Sequence, residues 1–176
     1  MNNYIRITSG LYKGRKILTP GGATHPMGER ERIALFNMIS GFITGARVLD
    51  AFSGSGALGI EALSRGAEEV VFIEKNPRAA KVIRENLEEI GEPSRGKVLL
   101  ENVYQYLENS AEKWDIVIAD PPYDLFDRGR IQILAGKVEE SGILVLSHPG
   151  EAPEMPGLKL DRTKSYAGAN ISIYLK

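Results

Sequence analysis

The first part of the chain alternates between hydrophobic and polar residues. Over residues 4–19 this alternation surrounds a short segment with two glycines, Ser9-Gly10-Leu11-Tyr12-Lys13-Gly14. Alternation on both sides of such a turn predicts a β-hairpin. Its apolar residues are expected to share faces: Ile5, Ile7, Ile17 and Tyr12.

The next segment changes to a helical period. Between residues 29 and 40 the apolar positions approach helical spacing, which predicts a helix; they are Ile33, Phe36, Met38 and Ile39. Gly41 follows as the expected end of this helix, because glycine is common just beyond a helix C-terminus.

From residue 47 onward, short apolar runs alternate with helical stretches. The predicted strands are 47–52, 70–74, 97–101, 115–119 and 142–147, and the predicted helices are 57–65, 77–90, 103–110 and 128–138. Most of these strands are continuous apolar runs, as expected when both faces of a parallel sheet are buried. Residues 158–164 and 170–175 predict a closing antiparallel pair. The order predicts a Rossmann-like, doubly wound α/β fold with a mostly parallel seven-stranded sheet.

The length of 176 residues corresponds to one domain with a small appendage. We therefore divide the chain into an N-terminal hairpin and helix extension, residues 1–44, and a sheet domain, residues 45–176. A sheet of this kind binds ligands at the carboxyl ends of its strands, so the loops at that edge are the first candidates for a site.

The composition removes several classes of protein. The chain has no cysteine, which excludes disulfides, a thiol nucleophile and Cys-ligated zinc or iron–sulfur sites. Two histidines far apart in sequence are too few for a His-based metal site, so no metal is expected. No apolar run approaches about 18 residues, and the chain does not begin like a signal peptide, so we expect a cytoplasmic protein without membrane helices.

The net charge of −1 conceals an asymmetry between the two parts of the chain. Residues 1–47 contain seven Lys or Arg and two Glu, a net charge of +5, so the remainder carries −6. A basic segment on an acidic body predicts that the first segment meets a polyanion such as a nucleic acid. Basic residues that are merely solvated on an ordinary hairpin would give the same net charge, so this alternative stays open.

A glycine-rich loop follows the first predicted strand of the sheet. Gly54, Gly56 and Gly59 form G-x-G-x-x-G, and Glu74 follows Gly54 by 20 residues at the end of the next strand. The glycines let a ligand approach the backbone, and the carboxylate of Glu74 could accept hydrogen bonds from both hydroxyls of a ribose. On this spacing alone, NAD fits as well as any other nucleoside cofactor.

Asp50 favours a cationic cofactor over NAD. It ends the strand four residues before Gly54, and a pyrophosphate prefers amide donors without a carboxylate nearby. A sulfonium nucleoside with an ammonium group would instead be attracted to Asp50. A hydrolase nucleophile elbow is excluded, because G-x-S-x-G would need glycine where Ser53 stands.

A second loop, Asp120-Pro121-Pro122-Tyr123, follows the strand predicted over 115–119. An exocyclic amine is a poor nucleophile because its lone pair is delocalised into the ring. The carboxylate of Asp120 and the carbonyl of Pro121 could each accept one N–H of the amine, which favours a pyramidal nitrogen. Tyr123 could stack on the base. Alignment of donor and acceptor for in-line displacement would supply the rest.

These motifs resemble a known family. The segment from Asp50 to Ala67, together with Glu74 and Asp120-Pro-Pro-Tyr123, looks like an S-adenosylmethionine-dependent amino-group methyltransferase. Segments 7–16 (Ile-Thr-Ser-Gly-Leu-Tyr-Lys-Gly-Arg-Lys) and 30–37 (Arg-Glu-Arg-Ile-Ala-Leu-Phe-Asn) narrow the resemblance to the RsmD-type family. That family consists of bacterial methyltransferases acting on guanine N2 of small-subunit (16S) ribosomal RNA. The resemblance covers nearly the whole chain.

The resemblance implies roles for particular residues. Cofactor contacts are expected at Phe52, Ser53, Gly54 and Gly56, ribose contacts at Glu74, and an adenine contact near Asn102. Catalysis is expected at Asp120, Pro121 and Tyr123. Asp50, Lys75 and Asp120 complete the predicted cofactor site, and Pro122 the catalytic loop. The predicted RNA contacts are basic residues of the N-terminal segment: Lys13, Arg15, Lys16, Arg30 and Arg32.

One segment departs from the family pattern, and three other functions stay open. The family usually has Arg-Pro-Thr-Ser/Thr-Asp-Arg where this chain has His25-Pro-Met-Gly28-Glu-Arg30, which removes a charge and a hydroxyl. An adenine-N6 methyltransferase would share every catalytic residue. A glutamine-amide methyltransferase would carry Asn in place of Asp120. A non-catalytic RNA-binding module could retain the same fold. The expected partner is ribosomal RNA, free or in an assembling small subunit, and the expected state is a monomer.

Overall fold

The computed structural model describes residues 4–21, 27–166 and 169–176. In these segments the strands are β1 Tyr4–Arg6, β2 Lys16–Leu18, β3 Arg47–Asp50, β4 Glu69–Glu74, β5 Gly96–Leu100, β6 Trp114–Ala119, β7 Val138–His148, β8 Lys159–Tyr166 and β9 Ala169–Leu175. The α-helices are α1 Glu29–Met38, α2 Ser40–Ile43, α3 Ala57–Ser64, α4 Pro77–Ile90 and α5 Val103–Asn109. Two 3₁₀ segments span Tyr123–Leu125 and Arg130–Lys137.

The central sheet has the order β5-β4-β3-β6-β7-β9-β8. Strands β3 to β7 pair in parallel, and β9 runs antiparallel to both β7 and β8. The chain winds outward from β3 to β5 and then crosses to β6, so the winding reverses between β3 and β6. The doubly wound, mostly parallel seven-stranded sheet predicted from the sequence is confirmed.

Successive residues of the central strands feed two separate cores. Val48, Val70 and Ile116 pack with α1, α3 and α4 on one face of the sheet. Their sequence neighbours Leu49 and Val71, with Val117, pack with α5 and the 130–137 segment on the other face. Side chains alternate across a strand, so a strand covered on both faces must be apolar throughout. This is why the pattern showed runs where a half-exposed strand would have alternated.

The ends of the helices follow from local sequence. Asn76 caps α4 by accepting hydrogen bonds from the N–H groups of Arg78 and Ala79, at 2.9 and 3.3 Å. Pro77 occupies the first helical position, where its missing N–H is not needed. Gly91 ends α4 with φ of 81°, a left-handed conformation in which glycine carries no Cβ penalty.

The N-terminal hairpin lies along α3 and α4. Its register pairs Ile5 with Ile17, and Ile7 and Ile17 join the core on the α3 side of the sheet. The hairpin turn reaches the C-terminal ends of both helices: the Leu11 N–H donates to the Ser64 carbonyl at 2.7 Å, and the Tyr12 hydroxyl donates to Glu92. Helices that follow parallel strands end at the opposite edge of the sheet, so the turn lies at the amino-terminal edge.

Glu61, a buried carboxylate on α3, holds the hairpin and α1 in place. It accepts hydrogen bonds from the Thr8 N–H (2.9 Å), the Thr8 hydroxyl (2.6 Å) and the Ser9 N–H (3.0 Å). The Arg65 Nε donates to it at 2.8 Å, and the Nε of Arg32 lies 3.7 Å away. Because a buried charge requires partners, this cluster fixes three elements relative to one another.

Two predicted features differ from the structure. Gly41 does not end the helical segment, because Ile39 interrupts α1 and a further turn, α2, carries Ile43 into the core. The helix predicted over 128–138 is a 3₁₀ helix. Its buried Ile131 and Leu134 are three residues apart, which places both on one side of a helix with three residues per turn.

Within residues 4–21, 27–166 and 169–176, no helix is long and apolar enough to cross a bilayer.

We predict that Glu61→Ala lowers the free energy of unfolding by about 3–5 kcal/mol, because it leaves Arg32 buried without its counter-charge. Urea unfolding followed by circular dichroism measures this value. The matched control is Glu85→Ala, which breaks the exposed Lys81–Glu85 pair at 3.6 Å and should change stability by about 0.5 kcal/mol or less. Equal losses in the two variants would contradict a special role for Glu61.

Candidate functional site

A cavity of about 1130 Å³ opens at the carboxyl-terminal edge of the parallel strands. Its walls come from the loops after β3, β4, β5 and β6, and it extends past β7 to residues of α1 and β9. The reversal in winding between β3 and β6 lies at its floor, which is where open α/β sheets bind ligands. One half therefore lies over β5, β4 and β3, and the other over β6, β7 and β9.

The glycine loop uses its N–H groups within the protein. The Gly54 N–H donates to Glu74 Oε2 at 2.8 Å, and the Gly59 N–H donates to Asp50 Oδ2 at 3.0 Å. The Gly56 N–H donates to the Ser53 carbonyl at 2.7 Å. A dinucleotide site would direct such groups at a pyrophosphate. Their engagement here disfavours NAD.

Glu74 is held in place with its carboxylate on the cavity wall. Its second oxygen accepts a hydrogen bond from the Asn76 N–H at 2.7 Å. Each carboxylate oxygen can accept more than one hydrogen bond, so both retain capacity for a ligand hydroxyl. The arrangement suits recognition of a ribose.

Not all predicted cofactor residues line the cavity. Those that do are Phe52, Gly54, Glu74, Lys75, Asn102 and Asp120. Asp50, Ser53 and Gly56 lie behind the wall and shape the loop: Ser53 donates to the Asp50 carbonyl at 2.8 Å, and Gly56 begins α3 with φ of 77°. A Cβ on Gly56 would lie 3.0 Å from the Ile83 side chain. Asn102 also caps α5 through the Tyr104 N–H at 3.0 Å.

Three carboxylates give this region a negative field. Burial, together with smaller contributions from the charges of Asp120 and Glu74, raises the pKa of Asp50 to about 7, although the hydrogen bond from Gly59 opposes this shift. Asp50 Oδ1 is buried and has no hydrogen-bond partner among the described residues. An unsatisfied carboxylate oxygen and two like charges favour a cation. The residues present therefore fit a sulfonium nucleoside with an ammonium group.

The Asp-Pro-Pro-Tyr loop stands at the middle of the cavity. Asp120, Pro121, Pro122 and Tyr123 all line it. Tyr123 begins a 3₁₀ turn in which the Leu125 N–H donates to the Pro122 carbonyl at 3.0 Å. Burial raises the pKa of Asp120, and a hydrogen bond with Ser147 opposes this shift. The loop thus presents a carboxylate and an aromatic ring to the same space.

Sequence reasoning missed several residues of the cavity. Ser147, at the end of β7, lies 2.5 Å from the Tyr123 hydroxyl. Tyr104 packs edge-on against Phe52, with ring centroids 5.9 Å apart, and Arg130 lies 4.1 Å over its face. Its position as the last residue of a predicted strand was the available signal for Ser147. No local pattern indicates the Tyr104–Arg130 contact, because it joins two distant segments.

The predicted RNA contacts occupy different parts of the molecule. Lys13, Lys16 and Arg30 are exposed. Arg15 is also exposed, but it donates to the Glu89 carbonyl at the end of α4.

The structure contradicts the prediction that Arg32 contacts RNA. Its side chain is 2% exposed and donates to the Arg6 carbonyl at 2.7 Å, beside Glu61. It cannot reach a phosphate and stabilises the fold instead. His25 lies outside the described residues, whereas Gly28 lines the cavity.

In the part of the chain that the structure describes, no group of three or more His, Asp or Glu side chains is arranged to hold a metal ion.

Comparison with known proteins identifies the family. Residues 5–175 match the model described as conserved hypothetical protein 95. The chain belongs to this family. It is the RsmD-type family predicted from the sequence, and that prediction is confirmed.

Members of the RsmD-type family resemble this chain along most of its length. "Putative rRNA methyltransferase YlbH" of Bacillus subtilis is 32% identical over 98% of this chain and 99% of its own length. "Ribosomal RNA small subunit methyltransferase D" of Escherichia coli K12 is 35% identical over 80% of this chain and 69% of its own length. The solved structure of "Putative methyltransferase yhhF" from Escherichia coli superposes with a TM-score of 0.89 at 29% identity, covering 99% of this chain and 98% of that one.

We predict that Asp50 makes stability fall as pH rises from about 4 to 7. In this window folded Asp50 keeps a proton that the unfolded chain has lost, because its pKa is raised from 3.8 to about 7. Asp50→Asn removes this titration. The free energy of unfolding of the wild type, relative to Asp50→Asn, should fall by about 1.4 kcal/mol per pH unit within the window. Urea unfolding at half-unit pH steps measures it, and parallel curves for the two proteins would contradict it.

Proposed function

We propose that this protein transfers a methyl group from S-adenosylmethionine to the exocyclic N2 amine of a guanine in small-subunit (16S) ribosomal RNA. The observation that carries the proposal is the position of Asp120 in the Asp-Pro-Pro-Tyr loop, between the cation-attracting half of the cavity and its second half. Family relatives named as rRNA methyltransferases support the class of reaction and substrate. We propose that it acts as a monomer in the cytoplasm, on free RNA or an assembling small subunit.

The half of the cavity over β5, β4 and β3 holds the cofactor in this proposal. When bound, S-adenosylmethionine supplies an electrophilic methyl group on a positively charged sulfur. Glu74 accepts hydrogen bonds from the ribose hydroxyls, and Phe52 and Asn102 bound the space for the adenine. Asp50 acts through the field behind the loop, since its carboxylate is buried. Lys75 lines the same cavity and is exposed.

The other half receives the base. Asp120 and the carbonyl of Pro121 accept the two N–H groups of the amine, which directs its lone pair away from the ring. Pro121 is buried and its φ is fixed, so this carbonyl is held stiffly. Tyr123 stacks on a base that has left its helix. These groups position the nitrogen, and positioning of two reactants is worth several kcal/mol.

Besides the catalytic loop, two further residues of the cavity favour guanine over adenine as the substrate base. Glu31 of α1 and Tyr166 of β8 line the cavity. Burial raises the pKa of Tyr166 and the charge of Glu31 raises it further, as expected for neighbouring groups. Next to its exocyclic amine, guanine presents an N1–H donor and then the O6 acceptor, whereas adenine presents an N1 acceptor. A carboxylate accepts only and a tyrosine hydroxyl can donate, which matches guanine.

The proposed RNA surface extends away from the cavity. Arg30 precedes Glu31 on α1, close to the base site, whereas the hairpin turn lies at the other edge of the sheet. Arg15 contacts Glu89, eleven residues along α4 from Arg78 on the cavity wall, which is about 16 Å of helix. An RNA that reaches both must span that distance, as a folded ribosomal RNA does. We propose residues 1–44 as the RNA-facing part and 45–176 as the methyltransferase domain.

The direct test is identification of the product. Small-subunit ribosomal RNA lacking the modification is incubated with the protein and labelled S-adenosylmethionine, then digested to nucleosides and analysed by mass spectrometry. N2-methylguanosine is expected. N6-methyladenosine would contradict the guanine assignment, and absence of transfer to any RNA would overturn the enzymatic proposal.

We predict that Asp120→Ala lowers the single-turnover rate about 30- to 1000-fold while cofactor affinity changes little. The lost interaction is a charge-assisted hydrogen bond made in the transition state, worth about 2–4 kcal/mol. Rapid-quench assays with saturating cofactor measure the rate. The control is Asp124→Ala, an exposed acid of the same loop. A rate within threefold of wild type for Asp120→Ala would remove Asp120 from the mechanism.

We predict that Glu74→Ala weakens S-adenosylmethionine binding at least tenfold. Hydrogen bonds to a charged acceptor contribute about 1.5–3 kcal/mol each, less what water regains. Isothermal titration calorimetry measures the dissociation constant. Glu69→Ala is the control, because Glu69 lies at the other end of β4 in a surface pair with Arg47. Unchanged affinity in Glu74→Ala, or binding of NAD in its place, would contradict the assignment.

We predict that replacing Lys13, Arg15 and Lys16 together by alanine weakens binding of long RNA only. Three lost phosphate contacts lower the slope of log K against log salt by about 2–3. A short RNA that fills the cavity but cannot extend about 16 Å along α4 should bind both proteins equally. Fluorescence anisotropy across salt concentrations measures both.

The control for this triple variant keeps the same charge change elsewhere. Lys97, Lys159 and Arg162 are exposed on the edge strands β5 and β8. Their replacement by alanine should leave the slope as in wild type. If the hairpin variant also gives a line parallel to wild type on long RNA, its residues are solvated and do not contact phosphates.

A further inference from the structure

Ser147 joins two residues of the catalytic loop from a neighbouring strand. The register of the parallel strands β6 and β7 pairs Ala119 with Leu146, so Asp120 and Ser147 are the next residues along each strand. Ser147 is 2% exposed and lines the cavity. A buried serine hydroxyl here must be satisfied by the residues around it.

Its hydroxyl lies next to both Tyr123 and Asp120 of the catalytic loop. The oxygen lies 2.5 Å from the hydroxyl oxygen of Tyr123. The register of β6 and β7 places the same hydroxyl beside the Asp120 carboxylate, where a hydrogen bond from Ser147 lowers the pKa of Asp120. An ionised carboxylate can only accept, and a serine hydroxyl has one proton to donate. The direction is therefore fixed while Asp120 is charged: Tyr123 donates to Ser147, and Ser147 donates to Asp120.

This series of hydrogen bonds restrains the side chains of Asp120 and Tyr123 at the same time. The bond to Asp120 holds the carboxylate in one orientation and stabilises its charge against burial. The bond to Tyr123 holds the ring at a fixed distance from the same carboxylate. Asp120 and Tyr123 are on the same loop, so neither can anchor the other to the rest of the protein. Ser147 can anchor both, because it is on a different element, β7.

We propose that Ser147 is a positioning residue for methyl transfer, which holds Asp120 and Tyr123 in the orientation they need toward the acceptor amine. The inference rests on the proposed function, since it concerns the same site. Ser147 does not contact the reacting atoms in this proposal and acts through its two partners.

The consequence is a particular pH dependence. Asp120 must be ionised to accept an N–H, so activity is lost as pH falls through its pKa. Burial raises that pKa, and the hydrogen bond from Ser147 lowers it. Ser147→Ala should therefore move the acidic limb of the single-turnover rate upward by about one to two pH units, the shift expected from loss of one charge-assisted hydrogen bond.

Two further variants distinguish a role of Ser147 in positioning Asp120 from a general effect on the stability of the protein. Ser147→Thr keeps the hydroxyl and should return the acidic limb to its wild-type position, even if the added methyl lowers the maximal rate. Ser172→Ala is the matched control. Ser172 is a buried serine of β9 whose hydroxyl bonds His148 at 2.8 Å and Thr163 at 2.7 Å. It should leave the pH profile unchanged.

The test pairs this profile with a measurement that needs no activity. Carboxyl ¹³C shifts of labelled aspartate, with the Asp120 signal assigned by Asp120→Asn, give the titration of Asp120 directly. Upward movement of both the titration and the rate profile in Ser147→Ala, with return in Ser147→Thr, supports the proposal. An unmoved Asp120 titration, or a moved titration with an unmoved rate profile, overturns it. A wild-type protein that titrates as expected but methylates no RNA overturns the proposed function, and with it this role for Ser147.

Discussion

The buried carboxylate of Glu61 is the interaction on which the arrangement of the molecule depends. It lies on α3, the helix that begins at the glycine loop, and accepts hydrogen bonds from Thr8 and Ser9 of the hairpin beside Arg32 of α1. A buried ion pair of this kind adds little net stability compared with an apolar contact, but leaving one member unpaired is costly. We infer that it selects one way of docking the N-terminal segment. The cavity wall contributed by Gly28 and Glu31 is then set relative to the loop that would hold the cofactor.

Electrostatics at the cavity follow from the fold. Parallel strands bring their carboxyl ends to one edge of the sheet. Asp50 at the end of β3, Glu74 at the end of β4 and Asp120 just after β6 therefore lie close together. In the sequence, 24 positions separate the first two acids and 46 separate the second from the third. The charges of Asp120 and Glu74 repel that of Asp50 and raise its pKa, in addition to the larger effect of burial. A bound cation relieves this repulsion. The same charges oppose an anionic cofactor, and this explains how a glycine pattern shared with dinucleotide sites can serve a different ligand.

Much of the fold could be predicted because its signals are local. The runs in β3, β4 and β6, the cap at Asn76 and the turn at Gly91 each depend on neighbouring residues. The Asp-Pro-Pro-Tyr loop was found for the same reason. What failed depends on distant partners: Arg32 has the sequence of a surface arginine and is buried only because Glu61, 29 residues later, meets it. Ser147 gains its place from the register of β7 against β6, and the 3₁₀ helix over 130–137 from packing against α5.

The docking of the hairpin sets an order in which the chain can assemble during synthesis. Thr8 to Tyr12 bond with residues 61, 64 and 92, which are made 52 to 80 positions later. At a translation rate of about 5–20 residues per second, the hairpin waits several seconds for these partners. During that time Ile7 and Ile17, which end up in the core, have no sheet to cover them. The hairpin is thus synthesised well before its partners and can reach its final place only after residue 92 has been made.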